Sequence, residues 1–276
     1  MNHTDRYERE NYTTSNIDQY ERGNYITTNN FKIIVNYLNE FFNELIKKAP
    51  KEERKNHFAI IFGSWVLPYY LSKKDYCPKP INLDGGGIGR KTLDVDILVP
   101  SGTNDLLDLE DNVSFRDPVY VLSLEEDHFD SNTFIEIFPQ SVLSEIDTKN
   151  KDYCEKGINF SETLENKLWK SLDETTEKVT ITDEEGKRIE YDKIRAVKPY
   201  MWIAFKIAAW RQRKSDPEKS YGANHRNDII YLKGSIGDEY FNKIINKMEK
   251  ELGICWIDAY NHMIAGEKKV KTFIKV

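Results

Sequence analysis

Phe58-Ala59-Ile60-Ile61-Phe62-Gly63-Ser64-Trp65 and, further along, Arg90-Lys91-Thr92-Leu93-Asp94-Val95-Asp96-Ile97-Leu98-Val99-Pro100 are the stretches that decide the fold. The first reads as a buried apolar strand that ends at Gly63, turns through Ser64 and starts a helix over Trp65–Leu71. Pro68 falls in the first turn of that helix, where a missing N–H is tolerated. The second reads as a strand from Leu93 to Val99, closed by Pro100. Side chains alternate along a strand, so Asp94 and Asp96 project from one face while Leu93, Val95, Ile97 and Val99 point to a core. Adjacent carboxylates repel each other, and a divalent cation with a preference for oxygen resolves that repulsion; magnesium or manganese fits. A Gly-Ser turn at a helix start offers N–H groups and a hydroxyl to a phosphate. Together the two stretches point to metal-dependent phosphoryl or nucleotidyl transfer. The plainer alternative is a solvated strand face beside an ordinary helix cap.

Outward from this centre, Val119–Leu124 reads as a third strand and Thr133–Phe138 as a fourth. In the fourth, Phe134, Glu136 and Phe138 share a face, which argues that Glu136 stands on a partly enclosed surface. On the N-terminal side, Phe31, Ile34, Tyr37, Leu38, Phe41, Phe42 and Leu45 recur at helical spacing. On the C-terminal side, Val179–Ile181, a turn at Asp183–Gly186 and Ile189–Tyr191 signal a hairpin. A strongly apolar helix follows over Pro199–Arg213, then helical patterns over 225–233, 238–252 and 255–275. Lys206 interrupts the apolar helix, so its ammonium must reach water or meet an anion, either a triphosphate or Asp228. Arg211, Arg213 and Lys214 at its end read equally as a solvated charged terminus or as contacts for an acceptor's phosphates. The expected fold is α+β: a small mixed β-sheet lobe with flanking helices over 31–195, then a mostly helical lobe over 196–276.

Residues 1–30 are polar and read as a flexible or loosely docked tail, or as a partner-binding arm. They hold a near repeat, Asp5-Arg6-Tyr7-Glu8-Arg9-Glu10-Asn11-Tyr12-Thr13-Thr14 against Asp18-Gln19-Tyr20-Glu21-Arg22-Gly23-Asn24-Tyr25-Ile26-Thr27. The chain of 276 residues carries a formal net charge of −6, which argues against indiscriminate nucleic-acid binding but leaves room for a local basic patch. No apolar run reaches transmembrane length and no signal peptide is read, so a membrane partner is not expected. Cys77, Cys154 and Cys255 lie far apart, without zinc or redox spacing, which fits a reducing cytoplasm. His57, His128, His225 and His262 show no ligand spacing either. Gly85-Gly86-Gly87-Ile88-Gly89 precedes a strand rather than a helix, so it is no dinucleotide fingerprint and reads as a loop that could close over a nucleotide.

The Gly63-Ser64 helix start followed by Asp94-Val95-Asp96 on a strand resembles the DNA polymerase β-like nucleotidyltransferase superfamily. Within it the chain is similar to the AbiEii-type toxin nucleotidyltransferases, over roughly residues 58–235. Arg90-Lys91-Thr92-Leu93-Asp94-Val95-Asp96 follows that family's Arg-x-Ser/Thr-x-Asp-x-Asp; Lys206-Ile207-Ala208-Ala209-Trp210-Arg211 and Arg226-Asn227-Asp228 match its later segments. The connection from Ser64 to Asp94 is longer than the family's, and residues 214–224 look like an insertion. Asp228 matches one of two acidic positions, with His225 in the place of the other if Asp228 is the second.

The resemblance implies roles. Asp94, Asp96 and Glu136 would hold the metal, with Glu136 ligating or activating the attacking hydroxyl. Gly63, Ser64, Arg90, Thr92 and Lys206 would bind the NTP, and Lys206 and Asp228 would complete the catalytic set. The implied reaction moves a nucleoside monophosphate from an NTP to an acceptor hydroxyl and releases pyrophosphate. Toxin relatives suggest a tRNA 3′ end as acceptor and an antitoxin protein as partner, in a toxin–antitoxin or phage-defence setting. A small-molecule or protein acceptor, or a catalytically idle nucleotide-binding module, are the alternatives.

Overall fold

The computed structural model describes residues 24–84, 91–92, 94–116, 118–124, 133–140, 142, 160–183, 185–214 and 221–265. Gly85–Arg90, Leu93, His128, Cys154, residues 1–23 with the upstream repeat copy, and residues 266–276, which include the end of the last expected helix, lie outside the described residues.

The fold is α+β. A seven-stranded mixed sheet has the order β5-β6-β7-β4-β2-β9-β8, built from β2 (Ala59–Ile61), β4 (Asp94–Val99), β5 (Val113–Arg116), β6 (Val119–Ser123), β7 (Phe134–Pro139), β8 (Thr176–Thr182) and β9 (Arg188–Val197). A separate two-stranded ladder joins β1 (Asn24–Tyr25) to β3 (Lys91–Thr92). Parallel pairing joins β4 to β7 and β2 to β9, and the remaining pairs of the sheet are antiparallel. Ala59, Ile60 and Ile61 are all buried, the signature of a central strand covered on both faces. The expected hairpin is present, with Ile181 opposite Ile189 and Gly186 at a φ of 82° in its turn; a left-handed backbone there favours glycine.

Helix α1 (Thr28–Leu45) begins with Thr27 as N-cap, its side chain accepting from Asn30 N–H. Phe31, Ile34, Val35, Leu38, Phe42 and Leu45 make its buried stripe; of the expected positions Tyr37 and Phe41 are only half-buried, at the margins of the stripe, and Val35 is buried in addition. The polar N-terminal stretch is built into the fold at its end: Ile26 is completely buried and the helix starts at Thr28. The segment after Gly63 differs from the expected single helix. A 3₁₀ turn, Ser64–Val66, comes first and only then α2 (Leu67–Ser72). Pro68 explains the order, since it sits in the first turn of α2 where its missing N–H does no harm.

The short α3 (Asn104–Leu107) lies between β4 and β5, and α4 (Phe160–Lys170) and α5 (Leu172–Thr175) lie between β7 and β8; after β9 the C-terminal region is helical: α6 (Pro199–Lys214), α7 (Tyr221–Ile236), α8 (Asp238–Leu252) and α9 (Ile254–Ala265). Met201, Trp202, Ile203, Ala204 and Ile207 are fully buried, so α6 is covered all round and forms the axis of this region. It packs against α4, α7, α8 and α9. One continuous cluster of buried side chains includes both sheet and C-terminal helices. Phe62 at the end of β2 makes the join, with its ring 5.0 Å from Phe205 of α6 and 5.5 Å from Phe138 of β7. No helix among the described residues is long and apolar enough to cross a membrane.

Candidate functional site

Asp94, Val95 and Asp96 alternate half-buried, buried, half-buried along β4, so the two carboxylates share a face as the strand period requires. In the neighbouring parallel strand β7, Phe134, Glu136 and Phe138 share the corresponding face. The register places Glu136 beside Asp96 and Phe134 beside Asp94. Asp94, Asp96 and Glu136 each offer a carboxylate oxygen within 4.8 Å of the others. Such a cluster sets three like charges close together. It offers only hard oxygen donors, the set suited to magnesium or manganese rather than to thiolate- or imidazole-seeking metals.

The Gly63 turn packs directly on this cluster. Phe62 N–H donates to the Asp96 carbonyl at 3.2 Å. A Cβ at position 63 would lie 2.1 Å from Asp96 Oδ2 and 2.9 Å from its Cβ, so no side chain fits there. Two tryptophans brace the turn. Trp65 Nε1 donates to the Asp94 carbonyl at 2.8 Å, and Trp202 Nε1 to the Gly63 carbonyl at 3.0 Å. Thr92 Oγ1 donates to Asp94 Oδ1. The tryptophans are the residues that sequence reasoning missed. A signal existed for Trp202, which precedes Lys206 by one helical step of four and therefore shares its face.

Lys206 meets its anion in the protein. Its ammonium lies 2.8 Å from Asp228 Oδ2 and donates to Ser64 Oγ at 2.6 Å, while Ser64 Oγ donates to Asp228 Oδ2 at 2.9 Å. The Lys206 and Asp228 side chains are only 6% and 1% exposed. Helices α6 and α7 are thus tied to the turn that carries Ser64. The structure brings Gly63, Ser64, Thr92, Asp94, Asp96, Glu136, Lys206 and Asp228 into two linked clusters, joined through the consecutive residues Gly63 and Ser64. Arg90 lies outside the described residues. Arg211 is neither a solvated helix end nor a surface phosphate contact: it is buried, with its guanidinium 4.6 Å from the Phe160 ring centroid. The side chains of Arg213 and Lys214 lie outside the described residues.

At the same end of the sheet, beyond β8 and β9, lies a cleft of about 640 Å³. Tyr76, Tyr200 and Tyr240 line it, and its charges are mixed, with Lys198, Lys243 and Lys247 facing Asp75, Asp173, Glu174 and Glu251. It is neither the basic groove an RNA strand would prefer nor an acidic pocket for an amine.

Comparison with models of known protein families, with curated proteins and with solved structures found no match.

Proposed function

We propose that this protein is a metal-dependent nucleotidyltransferase of the DNA polymerase β-like type, similar to the AbiEii-type toxins. One observation carries the reading: Asp94, Asp96 and Glu136 converge from two parallel strands beside a Gly-Ser turn whose glycine touches Asp96. A divalent cation held by these carboxylates would supply Lewis acidity at the α-phosphate and a template for in-line displacement.

The remaining chemistry belongs to the chain's own residues. Backbone N–H groups of Gly63 and Ser64 would meet the β- and γ-phosphates, while the Ser64 hydroxyl, donating to Asp228 Oδ2 and accepting from Lys206, fixes the turn. Lys206 places a positive charge behind Ser64, so the turn meets the triphosphate with its hydroxyl already held. Glu136 takes the proton of the acceptor hydroxyl. That oxygen then forms a bond to the α-phosphorus, the bond from this phosphorus to the oxygen bridging to the β-phosphate breaks, and pyrophosphate leaves. Thr92 orients Asp94. The acceptor proposed first is a tRNA 3′ hydroxyl, with an antitoxin protein as the regulating partner.

The test is incubation of the purified protein with magnesium, each α-labelled NTP and total tRNA, beside an Asp94→Ala/Asp96→Ala control. Label entering tRNA only with the intact pair supports the proposal and identifies the base. Label on the protein itself moves the acceptor to a side chain. NTP binding without any labelled product moves it to a small molecule, and absence of NTP binding overturns the enzyme reading in favour of an idle fold.

A further inference from the structure

The strand that leads into Asp94 has an unexpected neighbour. Lys91 and Thr92 pair with Tyr25 and Asn24 in antiparallel register, and β1 is the only strand neighbour of β3 among the described residues. We infer that Asn24–Thr27 is a strap that presets the Asp94 carboxylate for its metal, acting through Thr92 as a positioning residue. The inference rests on the metal-binding reading of the carboxylates above.

The strap is anchored on both sides. Ile26 is fully buried, and Thr27 caps α1 by accepting from Asn30 N–H at 3.0 Å. Asn30 Nδ2 donates to the Tyr25 carbonyl at 2.9 Å. The chain approaching β3 is tied to the same helix start: Leu83 N–H donates to Thr28 Oγ1 at 3.0 Å, and Asn29 N–H to Asp84 Oδ1 at 2.7 Å. A two-residue ladder is marginal by itself. These anchors hold it against α1.

What the ladder holds is the backbone of Thr92. Threonine is stiff at χ1 because its Cβ is branched, so a fixed backbone fixes the direction of its hydroxyl. That hydroxyl donates to Asp94 Oδ1. Residues two apart on a strand share a face, so the contact follows from the same pairing. Without the strap, Lys91 and Thr92 lose their strand partner and the Asp94 carboxylate regains its rotation. A metal must then order it at binding, which lowers affinity. The repeat in the N-terminal stretch agrees with this role. Asn24-Tyr25-Ile26-Thr27 has an upstream counterpart in Asn11-Tyr12-Thr13-Thr14, but only the downstream copy carries an isoleucine for the buried position.

Calorimetric titration of manganese into the metal-free full chain tests the strap, using Thr92→Val, Thr92→Ser and Asn24→Pro/Tyr25→Pro. The prolines remove ladder donors while keeping the chain extended. Thr92→Val is expected to weaken binding about fivefold, the size of one ordinary hydrogen bond. Thr92→Ser keeps the hydroxyl but loses the branched Cβ, so it is expected to bind between the parent and Thr92→Val, and the proline pair to lose about the same factor as Thr92→Val. Combining the proline pair with Thr92→Val is expected to lose no more than either, because both act on one contact. Thermal unfolding without metal, run alongside, separates weaker binding from partial unfolding; the near-isosteric Thr92→Val carries the test if the proline pair does not fold. Parent-like binding by Thr92→Val, or by a folded proline pair, overturns the inference, as does a multiplicative loss on combination. A parent protein that binds no manganese overturns the metal reading itself, a result distinguishable from failure of the strap alone.

Discussion

Gly63 lies against Asp96 so closely that a Cβ at position 63 would stand 2.1 Å from Asp96 Oδ2 and 2.9 Å from Asp96 Cβ and Cγ. The carboxylate end could rotate away, but its Cβ could not, so any side chain at 63 displaces a ligand atom. Gly63→Ala is expected to cost about 1–3 kcal/mol of stability, as overpacking does. Its larger effect falls on the metal: manganese affinity should drop at least tenfold in a variant that still unfolds cooperatively, read by titration and by urea denaturation.

Lys206 and Asp228 form an ion pair removed from water, with Ser64 as their shared partner. Lys206→Met leaves the Asp228 charge buried without it and should cost about 3–5 kcal/mol. Pairing that change with Asp228→Asn should recover much of the loss in a urea double-mutant cycle. Nucleotide transfer should stay low in the double variant, since the ammonium behind Ser64 is gone. Full activity there would remove Lys206 from the site.

Asp96→Asn relieves repulsion among Asp94, Asp96 and Glu136. Metal-free stability should change by no more than about 1 kcal/mol, in either direction. Manganese binding and transfer should both disappear. A large loss of metal-free stability would mean that the carboxylate is chiefly structural.

His57 is buried and its Nδ1 lies 3.1 Å from Thr103 Oγ1. Burial holds its pKa below the usual 6.5, with nearby Lys193 adding to the effect and Glu53 opposing it. The folded protein therefore binds a proton here less readily than the unfolded chain. The associated stability is present above about pH 6.5 and is lost as pH falls through the lower folded value. Urea midpoints at pH 8 and pH 5 should differ by less in His57→Gln than in the parent.

Glu251 accepts from Lys167 at 2.7 Å and from Lys247 at 2.6 Å, and these bonds lower its pKa from 4.5 to about 2. Its contribution is present above about pH 4.5 and fades as pH falls toward 2. Glu251→Gln should cost about 1–2 kcal/mol near neutrality, with the gap between variant and parent closing in acid.

Several elements were legible because short-range periodicity records them. The stripe Phe31–Leu45, the apolar run ending at Gly63, the alternation through Asp94–Val99 and the hairpin around Gly186 each follow from one local period or turn. The start after Gly63 was less legible, because whether that turn is 3₁₀ or α depends on a few backbone angles next to Pro68. Arg211 was misread for a related reason: charge at the end of a helix says solvent, whereas here the side chain is buried with its guanidinium against the Phe160 ring.

The sequence by itself determined that Asp94 and Asp96 share a face, that Glu136 stands on a strand between aromatic neighbours, and that Lys206 must reach water or meet an anion, since alternation and burial of charge are local constraints. Only the tertiary structure decided that β7 lies beside β4 in the register that brings Glu136 to Asp96. It alone chose Asp228 and Ser64 as the partners of Lys206, and Asn24–Tyr25 as the neighbour of the strand before Asp94. Strand order and register are set by how the whole apolar surface packs, and contacts spanning 142 residues between Ser64 and Lys206 leave no trace in any local period.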